Sequence, residues 1–194
     1  MWYRFFRRCF YLFFFFFFRW EVIGKEKVPA TGPVVLCCNH IDNLDPPLVG
    51  ASLHRQVYFM AKEELFRIPV LSWLLHRFGA FPISRGKSDR QALKTSLELL
   101  KQGKLLGVFP EGTRSKTGDL GEAHTGAAFI ALRGEAVVVP AAIIGPYRPF
   151  RKLRIRFGDP IDLSVYRQDR TNSQSVREVT DRVMNEIRAL QEQR

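Results

Sequence analysis

Apolar segments of strand length alternate with helical patterns along this chain, and this alternation constrains its fold more than any other feature. Six segments have the length and composition of strands: residues 34–40, 57–62, 80–84, 105–109, 136–144 and 152–157. Helical periodicity lies between several of them, most clearly in residues 88–103, where we expect Ser88 to cap the helix and Gly103 to end it. The pattern predicts a layered α/β domain whose ligands bind at the carboxyl ends of the strands.

The length of 194 residues fits one folded domain, and the net charge of +11 predicts a polyanionic partner. In the last predicted strand Lys152, Arg154 and Arg156 alternate with apolar residues, so we expect them to face lipid headgroups or an acidic acyl carrier. A basic nucleic-acid-binding domain is the alternative, with five basic residues among positions 148–156 as its footprint. Because no nucleic-acid-binding motif accompanies that patch, we expect no nucleic acid partner.

The first 20 residues are rich in aromatic and basic side chains. Nine of the 17 Phe residues lie among the first 18 positions, and the segment carries four Arg and no acid. The uncharged stretch between Arg8 and Arg19 would span only about 15 Å as a helix, roughly half of a bilayer's hydrocarbon core. We therefore expect residues 1–20 to be a monotopic membrane anchor, with Phe and Trp in the interface and Arg against lipid phosphate.

Two other interpretations of this segment are a buried core helix and a secretory signal. Ten apolar residues are a normal length for a core helix, but six consecutive Phe residues are unusual in a soluble core. A signal peptide needs small residues at a cleavage site, whereas Arg19, Trp20 and Glu21 follow the apolar run. The expected organisation is an anchor at residues 1–20 and a single domain at residues 21–194.

The cysteines predict a reducing environment. Cys9, Cys37 and Cys38 are odd in number and two of them are adjacent, so we expect free thiols and a cytoplasmic setting. Cys37, Cys38 and His40 lack the spacing of zinc ligands, so we expect neither a metal site nor a cofactor.

Polar clusters follow three of the predicted strands. His40 ends the first strand, and Asp45 lies five positions further on. A carboxylate on one imidazole nitrogen fixes the tautomer and leaves the other nitrogen free to take a proton. A plain helix cap at Asp45 and a satisfied core histidine at His40 are the ordinary alternatives.

The other two clusters suit a phosphate group. FPEGTRS at residues 109–115 offers close backbone approach at Gly112, hydroxyl groups, and a two-pronged donor at Arg114; a solvated turn is the alternative. GAFPISR at residues 79–85 ends in Arg85, which is either a surface charge or a phosphate clamp.

In this order and spacing, the clusters resemble the PlsC-like glycerolipid acyltransferases, the lysophosphatidic acid acyltransferase family, over residues 20–162. His40 and Asp45 match the family's His-x4-Asp block, and Arg85 matches the Arg that ends its second block. FPEGTRS matches the third block without a change, and the apolar Val-Pro segment at residues 139–143 matches the fourth. The resemblance implies an α/β fold with a mixed, mainly parallel central sheet flanked by helices, preceded by the membrane-anchoring helix.

The resemblance also implies an enzyme that transfers a fatty acyl group from acyl-CoA or acyl-acyl carrier protein to the 2-hydroxyl of 1-acylglycerol 3-phosphate, giving phosphatidic acid. His40 would be the general base and Asp45 its orienting partner. The expected substrate-binding residues are Arg85, Glu111, Gly112, Thr113 and Arg114, with Glu111 ordering the loop. Such an enzyme would act at the cytoplasmic face of the cell membrane. Alternatives are another acceptor, glycerol 3-phosphate or another lysophospholipid, and a non-catalytic membrane scaffold.

Two positions depart from the family pattern. Asp42 stands where the family usually has Ser or Thr, so a second carboxylate near His40 could compete for the imidazole or raise its basicity. His124 stands where relatives usually carry a Lys that could meet phosphate. Phosphate binding would then depend more on Arg85 and Arg114, or become pH-dependent through His124.

Overall fold

Helices and strands alternate along the chain in a computed structural model that describes residues 2–84, 89–115, 117–168 and 172–193, without the side chains of residues 167 and 168. The strands are β1 Arg19–Ile23, β2 Val34–Cys38, β3 Val57–Lys62, β4 Ala80–Ile83, β5 Leu105–Val108, β6 Val137–Ile144 and β7 Lys152–Phe157. The α-helices are α1 Trp2–Phe17, α2 Asp45–Ser52, α3 Pro69–Arg77, α4 Arg90–Lys101, α5 Gly126–Arg133, α6 Ser164–Gln168 and α7 Ser173–Glu192. Short 3-10 helices span Lys25–Lys27 and Glu63–Arg67.

The seven strands form one sheet in the order β1-β7-β6-β2-β5-β3-β4. Five of them, from β6 to β4, run parallel to one another. Strand β1 runs parallel to β7, and β7 runs antiparallel to β6. The sheet confirms the expected mixed, mainly parallel α/β fold, and it brings the carboxyl ends of β2, β3, β4, β5 and β6 to one edge.

Apolar side chains cover both faces of the sheet, as β2 illustrates. Val35 and Cys37 pack with helices α4, α5 and α7 on one face. Val34, Leu36 and Cys38 point to the other face, which α1 and α2 cover. A strand buried on both sides is a continuous apolar run, which is why VVLCC was recognisable as a strand in the sequence.

Helix α1 has one face in the core and one face exposed. Phe14 is fully buried against α2 and the sheet, and Arg7 donates to the carbonyl oxygen of Leu53 at 3.0 Å. The Arg7 guanidinium thus ties α1 to the chain segment after α2, and lipid contact by this half-buried side chain stays a prediction. Seven large apolar residues of α1 are exposed: Trp2, Phe5, Tyr11, Leu12, Phe15, Phe16 and Phe17. No helix within the described residues is long and apolar enough to span a bilayer.

Local chemistry explains both ends of α4. The cap expected at Ser88 lies outside the described residues; the N-cap of α4 is Asp89, whose carboxylate accepts from the Ala92 N–H at 2.9 Å. Gly103 ends this helix as expected, with a φ of +67°. The boundary between the anchor and the domain, placed at residue 20, stays a prediction; β1 begins at Arg19 and pairs with β7.

The basic face of β7 is largely neutralised within the protein. Glu21 on β1 accepts from Lys152 at 2.9 Å and from Arg154 at 2.7 Å, and these two hydrogen bonds lower the pKa of the Glu21 carboxyl. Arg156 is buried, and its guanidinium donates to the carbonyl oxygens of Leu190 and Gln193 at the end of α7. The expectation that Arg156 faces an external partner is therefore wrong, because this side chain caps a helix.

Candidate active site

Three loops meet at the carboxyl edge of the sheet, where β2 lies between β5 and β6. The loop after β2 carries His40, the loop after β5 carries Glu111, and the loop after β6 carries Tyr147. Since parallel strands end side by side, residues far apart in the sequence become neighbours here. The candidate site is built from these three loops.

His40 and Asp45 form a hydrogen-bonded pair. The His40 Nδ1 atom lies 2.7 Å from Asp45 Oδ2. The Asp45 side chain is fully buried and that of His40 is 12% exposed. Because a carboxylate accepts, Nδ1 is the donor in this bond, and in a neutral imidazole Nε2 would then have the free lone pair. The imidazole also stacks on the Phe109 ring, with the centroids 4.2 Å apart.

Asp45 is held by main-chain and side-chain donors besides His40. Its Oδ2 accepts from the N–H groups of Ile41 at 2.6 Å and Asp42 at 2.8 Å, and its Oδ1 accepts from the Tyr147 hydroxyl at 2.7 Å. Asp45 is the first residue of α2, and the N-cap is Leu44. The side chain thus turns back toward the His40 loop, and the alternative of a plain helix cap is wrong.

Tyr147 is a site residue that the sequence reasoning did not identify. Burial raises its pKa far above the ordinary value for a phenol, and the neighbouring Asp45 carboxylate adds to the effect. The phenol therefore stays neutral and keeps the proton that it donates to Asp45. A polar residue three positions after the end of β6 was the available signal, but the sequence did not connect it with a carboxylate 102 positions earlier.

Glu111 joins the β2 loop to the β5 loop. Its carboxylate accepts from the main-chain N–H of His40 at 2.8 Å and from that of Gly121 at 2.9 Å. The His40 carbonyl oxygen in turn accepts from the Ser115 N–H at 2.8 Å. Glu111 is only 6% exposed. This geometry suits the expected role of ordering the loop rather than direct contact with a substrate.

Asn39 holds the other side of the His40 loop. Its side-chain amide donates to the Ile143 carbonyl oxygen at 3.0 Å and accepts from the Ile143 N–H at 2.7 Å. This contact continues the pairing of β2 with β6 beyond Cys38, immediately before His40. Sequence reasoning assigned no role to Asn39, although it directly precedes the candidate base.

A cavity of about 410 Å³ lies beside Glu111, and Thr113, Arg114, Ser115 and His124 are among the residues that line it. Thr113 and Arg114 are exposed to it. Gly112 has a φ of +66°, and a Cβ there would lie 2.8 Å from the His124 ring. The loop conformation therefore requires glycine at this position. Arg85, the remaining predicted phosphate contact, lies outside the described residues.

The two departures from the family pattern have distinct environments. The Asp42 carboxylate accepts from the Leu44 N–H at 2.9 Å and so shapes the turn before α2. Asp45, rather than Asp42, is the hydrogen-bond partner of the His40 ring. His124 is exposed and lines the same cavity as Arg114.

The buried cysteines are poor nucleophiles. Burial raises the pKa of Cys37 to about 12, and burial raises that of Cys38 well above its ordinary value, with the Asp45 charge adding to the shift. Both thiols are almost fully buried. Since the thiolate is the reactive form, neither side chain offers a nucleophile at neutral pH.

A mainly parallel sheet with a buried carboxylate and an imidazole at its carboxyl edge defines an α/β protein whose site can take up a proton. The family model described as Acyltransferase matches residues 19–144, and the chain belongs to this family. That match begins with β1 and ends with β6, so it includes the loops after β2 and β5 and stops before the loop that carries Tyr147.

Known proteins of similar sequence and structure agree with this assignment. The chain is 35% identical over 147 residues to 1-acyl-sn-glycerol-3-phosphate acyltransferase of Bacillus subtilis. The aligned region covers 73% of each protein. It is 28% identical over 188 residues to the Streptococcus pneumoniae protein of the same name, covering 90% of this chain and 69% of that one. The crystal structure of the 1-acyl-sn-glycerophosphate acyltransferase PlsC of Thermotoga maritima has the same fold, with a TM-score of 0.70, 24% identity, and coverage of 99% of this chain and 79% of that one.

Proposed function

We propose that this protein transfers a fatty acyl group from a thioester to the 2-hydroxyl of 1-acylglycerol 3-phosphate, forming phosphatidic acid. The hydrogen-bonded His40–Asp45 pair at the carboxyl edge of the sheet is the observation that carries the proposal. The names of the similar proteins supply the acceptor. The donor is an acyl-CoA or an acyl-acyl carrier protein.

His40 acts as the general base in this reaction. An alcohol is a weak nucleophile at neutral pH, so its proton must leave as the oxygen attacks the thioester carbon. Nε2 takes that proton, and the Asp45 carboxylate stabilises the imidazolium that forms. When the carbon–sulfur bond breaks, the imidazolium returns the proton to the thiolate. Because the substrate hydroxyl is the nucleophile, no acyl-enzyme forms.

The acceptor phosphate binds at the cavity beside the FPEGTRS loop. Arg114 and Thr113 are exposed on its wall and provide charged and hydroxyl donors for phosphate oxygens. Arg85 adds a second guanidinium in this proposal. Fixing the phosphate positions the neighbouring hydroxyl for His40, which contributes to the rate through orientation.

The test is acyl transfer by purified protein in detergent, followed by thioester consumption. We expect His40→Ala and Asp45→Asn each to lower kcat by at least about a hundredfold, the usual contribution of general base catalysis. His76→Ala, which removes an exposed histidine on α3, is the matched control and should keep full activity. Wild-type turnover by folded His40→Ala would show that the dyad is not the catalytic base.

The same assay separates the possible acceptors and donors. A matrix of 1-acylglycerol 3-phosphate, glycerol 3-phosphate and other lysophospholipids against both thioester types identifies the preferred pair. We expect the highest kcat/KM with 1-acylglycerol 3-phosphate. Higher kcat/KM with glycerol 3-phosphate would support the alternative acceptor instead.

We also propose that α1 holds the protein on the cytoplasmic face of the cell membrane. Its exposed aromatic residues provide the apolar face, and the exposed Arg4 and Arg8 provide charge for anionic headgroups. Deleting the whole segment would uncover the core, because Phe14 and Phe18 are buried. The paired substitutions Phe15→Ser and Phe16→Ser change only exposed positions.

We expect that double variant to keep its activity in detergent and to bind anionic vesicles at least about tenfold more weakly, because two exposed aromatic side chains are lost. Vesicle sedimentation measures the change. Unchanged binding of the double variant would mean that α1 is not the anchor.

A further inference from the structure

The loop between β6 and β7, residues 145–151, holds an aromatic ring in solvent at its tip. Phe150 is 70% exposed and has a φ of +60°. This left-handed conformation is unfavourable for any residue with a Cβ atom. The loop therefore keeps a large apolar side chain in water in an unfavourable backbone conformation, which is expected where the ring has an external partner.

Main-chain hydrogen bonds attach this loop to the end of α1. The Phe150 N–H donates to the Phe17 carbonyl oxygen at 2.8 Å, and the Arg151 carbonyl oxygen accepts from the Arg19 N–H at 3.0 Å. A further bond, from the Arg151 N–H to the Arg148 carbonyl oxygen at 3.1 Å, closes the turn. The main chain of Phe150 thus lies beside that of Phe17, and the side chains of both residues are exposed, that of Phe17 to 49%.

The charges around Phe150 differ from those further along β7. Arg148 and Arg151 are exposed, and within the part of the chain that the structure describes neither guanidinium makes an ion pair. Lys152 and Arg154, by contrast, are both paired with Glu21. The tip of the loop therefore presents an aromatic ring between two unneutralised cations.

We propose that the loop at residues 145–151 is a second membrane contact, in which Phe150 enters the interface of an anionic leaflet while Arg148 and Arg151 bind lipid phosphates. An exposed aromatic ring flanked by free guanidinium groups matches the two layers of a membrane surface, acyl chains below and phosphates above. The proposal rests on the membrane attachment through α1 and extends it to a different loop.

The contact has a consequence for the active site, because Tyr147 belongs to the same loop. Its hydroxyl donates to Asp45, and its ring packs edge-to-face on Phe18 with the centroids 6.0 Å apart. A leaflet that contacts Phe150 therefore also lies close to Tyr147, which donates to the Asp45 of the dyad. This arrangement brings the base to the surface where a lysolipid acceptor resides.

Phe150→Gly separates a binding role from a structural one. Glycine adopts a φ of +60° without strain, so the variant should unfold at the same temperature as the wild type or higher. We expect its partition coefficient onto vesicles of phosphatidylglycerol and phosphatidylcholine to fall about tenfold, a change of about 1.4 kcal/mol. Val165→Ala, at a position 71% exposed on α6 and remote from this face, is the control and should bind like the wild type.

Arg148→Gln combined with Arg151→Gln tests the charges. We expect this pair to bind the anionic vesicles about thirtyfold more weakly, because each basic residue near such a surface contributes about fivefold. Binding to pure phosphatidylcholine should not change. Arg177→Gln with Arg182→Gln removes the same charge from the exposed side of α7 and is the matched control.

Three outcomes would overturn the proposal. Wild-type vesicle binding by Phe150→Gly would exclude insertion of the ring. An equal loss of binding in the α7 charge control would mean that net charge, rather than this loop, draws the protein to lipid. Normal vesicle binding with a raised KM for acyl-acyl carrier protein in the Arg148 and Arg151 variant would assign the loop to a protein donor. All variants should remain active in detergent, so failure of the acyl-transfer proposal is recognised separately.

Discussion

Removing the Tyr147 hydroxyl is the most informative single perturbation of this site. Asp45 Oδ1 is fully buried, and within the described residues its hydrogen-bond partner is the Tyr147 hydroxyl at 2.7 Å. Tyr147→Phe keeps the ring against Phe18 and leaves that oxygen without its donor. A hydrogen bond to a charged group contributes about 1.5–3 kcal/mol, so we expect the free energy of unfolding to fall by about 2 kcal/mol.

This loss should be measurable in both stability and rate. For a chain of this length, about 2 kcal/mol corresponds to a fall in Tm of roughly 4–8 °C. A carboxylate free to rotate also aligns His40 less well, so we expect kcat to fall about tenfold, or about 1.4 kcal/mol in the activation barrier. KM for the acceptor should stay the same, because the hydroxyl contacts Asp45 rather than the cavity beside Glu111, where we propose that the phosphate binds.

Thermal unfolding and steady-state kinetics in detergent give the two readouts. Tyr58→Phe, which removes a hydroxyl from a half-buried position on β3, is the matched control and should change neither. A purely structural role would lower Tm without changing kcat measured well below Tm. Wild-type values of both Tm and kcat in Tyr147→Phe would refute the reasoning that this bond holds the dyad.

Three further predictions concern Glu111 and the cysteines. Glu111→Gln should lower both Tm and kcat. The carboxylate accepts from two main-chain N–H groups, and an amide would turn its own NH2 group toward one of these donors. Equal activity of Glu111→Gln and wild type would contradict a role of Glu111 in ordering the loop. Burial raises the pKa of Cys37 to about 12 from an ordinary value of 9.0, so its contribution to stability is complete below pH 9 and is lost as the pH rises toward 12. Above pH 9 the free energy of unfolding of Cys37→Ala should therefore fall less steeply with pH than that of the wild type. Urea titrations at several pH values measure this, and the same dependence on pH in both proteins would contradict the prediction. A thiol reagent at pH 8 should modify the exposed Cys9 and leave Cys37 unmodified in the folded protein.

Strand and helix positions were predictable where local pattern and burial agree. The predicted strands at residues 57–62 and 152–157 coincide with β3 and β7, and Gly103 ends α4 as predicted. In β7 the alternation was correct, but the environment of its basic face was not predictable. Whether Arg156 meets solvent or the carbonyl groups of α7 depends on which helix packs there.

The candidate site, too, was predictable from the sequence only in part. The spacing of His40 and Asp45 allowed a pair, and the family's His-x4-Asp block favoured it over the alternatives. The FPEGTRS segment was recognisable because its seven residues are consecutive in the sequence. The alternative of a helix cap at Asp45 could not be rejected from sequence, because Asp followed by two Pro residues is also a normal helix start. Only the direction of the side chain, back toward His40, decided between them.

The sequence by itself determined the kind of domain, the family, and His40 and Asp45 as candidates for a pair, because each depends on residue types over short spans. The tertiary structure alone decided how those residues are held. Tyr147 reaches Asp45 across 102 positions, and Glu111 reaches the His40 N–H across 71, because the parallel pairing of β2 with β5 and β6 places their ends together. Strand order depends on packing over the whole chain, so no local segment of the sequence contains it.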